Sequence, residues 1–152
     1  MKKFLVGILA IAALSSCDTG DASVFISDNS SNNTSAVVGI WKIQTQFQIS
    51  GTDKTTVIKE TPPDDCKKQG TYEFRNDGKY YMTDYNNVSS NCVKTQTTVP
   101  YQYDPVIMKL AINNSSADVI EVSANKLIIL VNDNYDYNGD GVNDFIKTVF
   151  YK

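Results

Sequence analysis

The stretch Asp136-Tyr137-Asn138-Gly139-Asp140-Gly141-Val142-Asn143-Asp144 places oxygen-bearing side chains at its first, third, fifth and ninth positions, with glycine at the sixth. Calcium is a hard cation that takes several oxygens at roughly 2.3 to 2.6 Å, from a loop that bends sharply at a glycine. The expected ligand set is Asp136, Asn138, Asp140 and Asp144 through their side chains and Val142 through its backbone carbonyl, with Ca²⁺ as the cofactor. The twelfth position is Lys147, so the bidentate glutamate of a helical calcium loop is missing, and the expected role is structural. The competing reading is a metal-free cluster of Asn-Gly and Asp-Gly turns. Against it stands the mutual repulsion of three carboxylates on one loop.

The chain has three cysteines and no histidine. Without histidine, neither a Ser-His-Asp nor a Cys-His arrangement can form, and the commonest general base near neutral pH is gone. Asp64 and Asp65 lie in a proline-flanked loop and Asp84 in a tyrosine-rich strand, with no spacing that marks an acid/base pair. The expectation is a protein that is not an enzyme and has no catalytic residues.

Cys17 closes Leu14-Ser15-Ser16-Cys17, after Lys2 and Lys3 and an apolar run from Phe4 to Leu14. A basic start, a short apolar core and small residues before the cut mark an export signal. The tetrad resembles the lipobox of bacterial lipoproteins, which implies lipidation of Cys17 and a membrane partner reached through an N-terminal lipid anchor. Residues 1–16 are then the lipoprotein signal peptide. The apolar run is far short of the roughly 20 residues that cross a bilayer core. Several acyl chains together would give stable anchoring where one is marginal. The expected location is the cell envelope, at the outer membrane.

With Cys17 acylated, Cys66 and Cys92 remain as one pair in an oxidising compartment, and a disulfide between them is expected. Removing the signal also removes two of the 14 basic residues and none of the 17 acidic ones. A mildly acidic chain without clustered Lys/Arg lacks a nucleic-acid footprint.

The elements that hold these residues have period two. Residues 17–36 are mostly Asp, Ser, Asn, Thr and Gly, interrupted by Val24-Phe25-Ile26, and read as a flexible tether. From Gly39 to Ile49 the odd positions run Trp, Ile, Thr, Phe, Ile against Lys and Gln on the even ones, the mark of a half-buried strand. Further strands are expected at 54–60, 70–75, 79–85, 97–103, 106–112, 118–123, 126–132 and 144–151. Asn76-Asp77-Gly78 is a hairpin signal, because these residues tolerate the positive φ of tight turns. No stretch sustains a helical pattern. The expected fold class is all-β, a small antiparallel up-and-down barrel of about eight or nine strands over residues 37–152.

Gly39-Ile40-Trp41 opening the first strand resembles the Gly-x-Trp signature of lipocalins. Together with Thr71-Tyr72-Glu73-Phe74, Asn76-Asp77-Gly78-Lys79-Tyr80 and Lys126-Leu127-Ile128-Ile129-Leu130, the chain resembles the lipocalin-like domains of bacterial lipoproteins over residues 37–151. The resemblance implies a lipocalin-like barrel whose interior holds a small apolar ligand, with Trp41 near the closed end. Trp41, Phe47, Tyr72, Phe74, Tyr101 and Tyr103 are the candidates to line the pocket or fill the core. The other reading is a structural or interaction module with a filled core, whose partner is an envelope protein.

Overall fold

The computed structural model describes residues 35–152. The expected signal peptide, Cys17 and the tether up to residue 34 lie outside the described residues. Alternating β-branched and aromatic residues form nine strands: β1 (Gly39–Ile49), β2 (Val57–Thr61), β3 (Thr71–Phe74), β4 (Lys79–Val88), β5 (Asn91–Asp104), β6 (Lys109–Ile112), β7 (Ser115–Val122), β8 (Lys126–Asn132) and β9 (Phe145–Tyr151). Among the described residues the one helical element is a 3-10 turn, Lys67–Gln69.

From β3 to β9 each strand pairs antiparallel with the next, and β1 joins β3 to β9. Eight strands thus close a barrel. The ninth, β2, pairs with Gln46–Ile49 on the same edge of β1 that pairs with β3 at Gly39–Trp41. Closure leaves no long open edge on most of the sheet, which is the physical advantage of a barrel over an open sheet. The connections β1–β2, β4–β5, β6–β7 and β8–β9 gather at one end, here the loop end. Val37 and the β3–β4, β5–β6 and β7–β8 turns gather at the other.

The barrel is filled by Val37, Trp41, Ile43, Tyr72, Phe74, Leu110, Ala117, Val119, Leu127, Ile129 and Phe150. Trp41, Leu110 and Leu127 are fully buried. Burying side chains of this size stabilises by roughly 1.5 to 3 kcal/mol each. The rings pack edge-on, with Tyr72 and Phe150 centroids 5.4 Å apart and Phe74 and Tyr101 4.9 Å apart.

Three local features depart from the strands read in the sequence. The pairing of β1 with β9 shifts between Ile43 and Thr45, a bulge that leaves Gln44 unpaired. One extra residue inverts the alternation that follows it. Trp41 and Ile43 face the interior as expected, but beyond the bulge Gln46 takes the inward position. Phe47 is therefore neither core nor pocket. It lies outside the cluster that fills the barrel, under the Lys147 ammonium at 4.5 Å.

The β4–β5 hairpin is also longer than its sequence pattern suggests, because residues 86–88 and 91–96, mostly polar, stay in strand conformation. Ser89 and Ser90 turn it with φ of 50° and 67°, the two consecutive positive values of a type I′ hairpin. Conversely, residues 105–108 are a turn and not strand: the Asp104 carboxylate accepts the Val106 and Ile107 N–H groups at 2.8 and 3.2 Å.

Candidate functional site

At the end opposite the loops, the Gly-x-Trp motif has a packing cause. Trp41 Nε1 donates to the Val37 carbonyl at 2.7 Å, and the Lys152 ammonium lies 4.1 Å from the ring centroid. Lys152 Nζ also donates to the Val38 carbonyl at 3.0 Å. Gly39 has φ of +137°, and a Cβ there would sit 2.6 Å from the Lys152 side chain. Glycine is thus required by the backbone conformation, while the close contact is with the movable end of the lysine side chain. The arrangement caps this end of the core; Trp41 is core.

Towards the loop end the inner rows change character. On β4 the row passes from Tyr80 and Met82 to Asp84 and Asn86, and on β5 the register sets Thr97 and Thr95 opposite Met82 and Asp84. On β1 it passes from Ile43 to Gln46, whose Nε2 donates to Thr148 Oγ1 at 3.1 Å. Asp84 is the centre of this polar ring. Its carboxylate accepts Tyr72 Oη–H at 2.7 Å and pairs with Lys67 Nζ at 2.7 Å, while Lys67 also reaches Asn86 Oδ1 at 3.2 Å.

Burial pushes the Asp84 carboxyl up, but the hydrogen bonds from Lys67 and Tyr72 outweigh it and hold the group below the usual carboxylate range. Burial, followed by the bond to Asp84, pushes the Tyr72 phenol well up. Tyr72 is therefore a neutral hydroxyl and Asp84 a charged acceptor. Tyr80, also raised by burial and then by Asp84, is a second neutral hydroxyl beside them. Ile112 and Val131 supply apolar wall on the inner rows of β6 and β8. The arrangement offers hydrogen bonds and one ion pair at the rim of an apolar interior.

The Asp-rich loop, between β8 and β9, is at the same end. Asp144 is fully buried. One of its oxygens accepts the Gly51 N–H at 2.7 Å and the other the Tyr137 N–H at 2.6 Å, so it staples the β1–β2 loop to the β8–β9 loop. A Cβ on Gly51 would lie 2.0 Å from the Asn143 carbonyl oxygen, so this contact requires glycine. Asp136 accepts the Gly139 and Gly141 N–H groups at 2.7 and 2.8 Å. Asp140 accepts the Val142 N–H at 2.8 Å, the Thr52 hydroxyl at 2.8 Å and the Asn138 side-chain amide at 3.0 Å. These donors, the Val142 N–H first, hold the Asp140 carboxyl below the ordinary range.

Protein N–H and O–H groups thus offset the repulsion expected among the carboxylates. Among the described residues no three His, Cys, Asp or Glu side chains are grouped to hold a metal ion. The stapling roles of Gly51 and Asp144 were not visible in the sequence, since residues 51 and 144 share no motif.

Of the other expected site residues, Tyr72 and Phe74 are buried in the core, and Tyr101 and Tyr103 pack against it half-buried. Tyr101 Oη donates to the Arg75 carbonyl at 2.9 Å and Tyr103 Oη to Met108 Sδ at 3.3 Å, so both rings anchor turns at the Trp41 end. Cys66 and Cys92 form the expected disulfide. It ties the 62–70 connection, which also supplies Lys67, to the β4–β5 hairpin. An open depression of about 200 Å³ lies elsewhere, lined by Pro100, Tyr101, Gln102, Ala111 and Asn113.

A family model described as a lipocalin-like domain matches residues 37–129, which span β1 to most of β8. The chain belongs to the lipocalin-like domain family. Among solved structures, this lipocalin-like chain is similar to the bovine lipocalin allergen Bos d 2, at 21% identity and a TM-score of 0.42, covering 75% of this chain and 71% of that one. It is also similar to a deswapped triple mutant of bovine odorant binding protein, at 12% identity and a TM-score of 0.43, covering 78% and 74%. A search of curated proteins gave no match.

Proposed function

We propose that this lipocalin-like protein is a lipid-anchored component of the cell envelope, outer-membrane bound through Cys17, whose barrel binds a small, largely apolar molecule from the loop end without chemical conversion. The observation that carries the reading is the change along the inner rows. Apolar residues fill the Trp41 end, while Tyr72, Asp84 and Lys67 place directed polar groups at the loop end. Ligand sites combine an apolar body with a few placed polar groups that fix orientation. An apolar molecule bearing one hydroxyl or amine matches this layout, its body along Ile112 and Val131 and its polar atom at Asp84. The lipobox-like tetrad supports the anchor. The second reading, a filled barrel serving an envelope protein partner, is favoured by the complete burial of Trp41, Leu110 and Leu127.

Native mass spectrometry of the protein extracted from envelopes tests both parts. The mature chain is expected to begin at an acylated Cys17 and to carry a noncovalent small molecule that Asp84→Asn releases. A chain without acyl mass overturns the anchor. Protein free of any small molecule, in wild type and variant alike, overturns ligand binding in favour of the filled-core reading.

We further propose that the Asp-rich loop takes up calcium. All its donors are oxygens, and each carboxylate oxygen that accepts one N–H keeps a second lone pair. Asp136, Asn138 and Asp140, with the Val142 carbonyl and Asp144, would hold the ion and stiffen the loop end. A ligand bound only by the folded state stabilises by RT ln(1 + [L]/Kd), about 1.4 kcal/mol at tenfold excess. Millimolar calcium is expected to raise the melting temperature over that in chelator, and Asp140→Ala to abolish the rise. An unchanged wild-type melting temperature would mean a metal-free turn.

A further inference from the structure

The β4–β5 hairpin leaves the barrel as a two-stranded ribbon. β5 pairs with β4 along Asn91–Pro100 but with β6 only along Tyr101–Asp104. Among the described residues its other edge from Asn91 to Val99 therefore has no neighbouring strand, and residues 91–98 are all exposed. The direction of the free groups follows from the ends of the pairing. Tyr101 N–H donates towards β4, to Gly78, whereas the Pro100 carbonyl accepts from Asn113 beyond β6. Backbone groups alternate sides along a strand. Thr98, Gln96, Lys94 and Cys92 thus aim both N–H and C=O outward from the free edge.

We infer that this edge pairs antiparallel with the same edge of a second copy of the chain, about a two-fold axis at Thr95. Symmetry and parity select that register. An axis at Thr95 sets Lys94 against Gln96 of the second copy and Cys92 against Thr98, so that every outward-aimed residue meets another. It forms about eight backbone hydrogen bonds. Pro100, which has no N–H to give, stays outside the ladder. Lys94 is the sole charged residue from Asn91 to Val99, and in this register it opposes a neutral side chain. Thr95 meets Thr95 and Val93 meets Thr97, β-branched pairs that suit a pleated surface.

A foreign strand is the less favoured occupant, because nothing along the edge supplies a charge pattern for it to read. An isolated two-stranded ribbon is marginal in water, whereas pairing makes a sheet of four strands. One lysine is little protection for so long an edge, since exposed edges are usually blunted by several charges, a proline or a bulge.

The test is register-specific cross-linking of the full chain in envelopes, read on non-reducing gels. Opposed residues in a non-hydrogen-bonded pair have Cα atoms about 4.5 Å apart, within the span a disulfide bridges. Thr95→Cys is expected to give a covalent dimer as its main species, and Thr97→Cys, which opposes Val93 and whose copies would lie four residues out of register, at least tenfold less. Adding Gln96→Pro to Thr95→Cys removes an N–H that the fold does not use and is expected to suppress the dimer. A Cys66–Cys92 bridge located by peptide mapping, together with an unchanged far-ultraviolet circular dichroism spectrum, reports that the barrel still folds in that variant. Equal cross-linking at 95 and 97, no cross-linking at 95, or a dimer unaffected by Gln96→Pro would each overturn the proposal.

Discussion

Trp41→Ala is expected to cost about 3 to 5 kcal/mol, the range for truncating a buried tryptophan or phenylalanine, and to lower the melting temperature by more than about 10 °C in a domain of this size. Three losses coincide. The indole is fully buried among Val37, Ile43, Tyr72 and Phe74, so its removal leaves a cavity that a closed barrel cannot collapse to fill. The Val37 carbonyl loses its 2.7 Å donor, and Lys152 loses the ring face beneath its ammonium. Set against a typical total stability of about 5 to 15 kcal/mol, this is a large fraction.

Trp41→Phe separates the terms, keeping most of the apolar volume while orphaning the carbonyl, for about 1 to 3 kcal/mol. Urea unfolding followed by circular dichroism measures both variants. A Trp41→Ala cost within 1 kcal/mol of zero would mean that the indole is not what closes this end of the barrel.

The contrast between Trp41 and Phe47 shows what the sequence could and could not reveal. Both sit on odd positions of one alternating run, and alternation sends both inward. The run does predict a half-buried strand, and Gly39-x-Trp41 marks its buried start. A bulge at Gln44 is invisible in that pattern, because glutamine is as acceptable in a regular strand as in an irregular one. The downstream parity, and with it the exclusion of Phe47 and the inward turn of Gln46, depends on pairing with β9. Residues 86–88 and 91–96 were obscured for the opposite reason: hydrogen bonds between β4 and β5, not apolar alternation, hold them extended.

The disulfide was legible because three cysteines, with Cys17 read as the lipidated one, leave one pairing. The Tyr72–Asp84–Lys67 cluster was not, since Lys67 arrives from an irregular connection whose path no local pattern sets. The Asp-rich loop was half legible. Its spacing marks a cluster of oxygen-bearing side chains, but the amides that fill those oxygens come from Gly51, on a different loop, as well as from the loop itself.

That difference within the loop yields an expected result. Asp144→Ala should destabilise the domain by about 2 to 6 kcal/mol, because two backbone N–H groups lose their acceptor where no water replaces it, at roughly 1 to 3 kcal/mol for each unsatisfied buried group. Asp140→Ala, with no cation present, should cost less than about 1 kcal/mol. Asp140 accepts three hydrogen bonds, more than Asp144, but it is exposed, and water takes over its donors.

Counting hydrogen bonds ranks the two substitutions one way, and burial ranks them the other. Asp144→Asn is no rescue: the amide keeps one acceptor oxygen but turns its NH₂ towards the Gly51 or the Tyr137 N–H, donor against donor. Denaturation in chelator removes any contribution from calcium, and hydrogen exchange localises the loss. In Asp144→Ala the Gly51 and Tyr137 amides should lose protection while those of β7 and β8 keep theirs up to the lowered global stability. Equal costs for Asp140→Ala and Asp144→Ala would show that Asp144 is solvated, and that the β1–β2 and β8–β9 loops are held together by something other than its carboxylate.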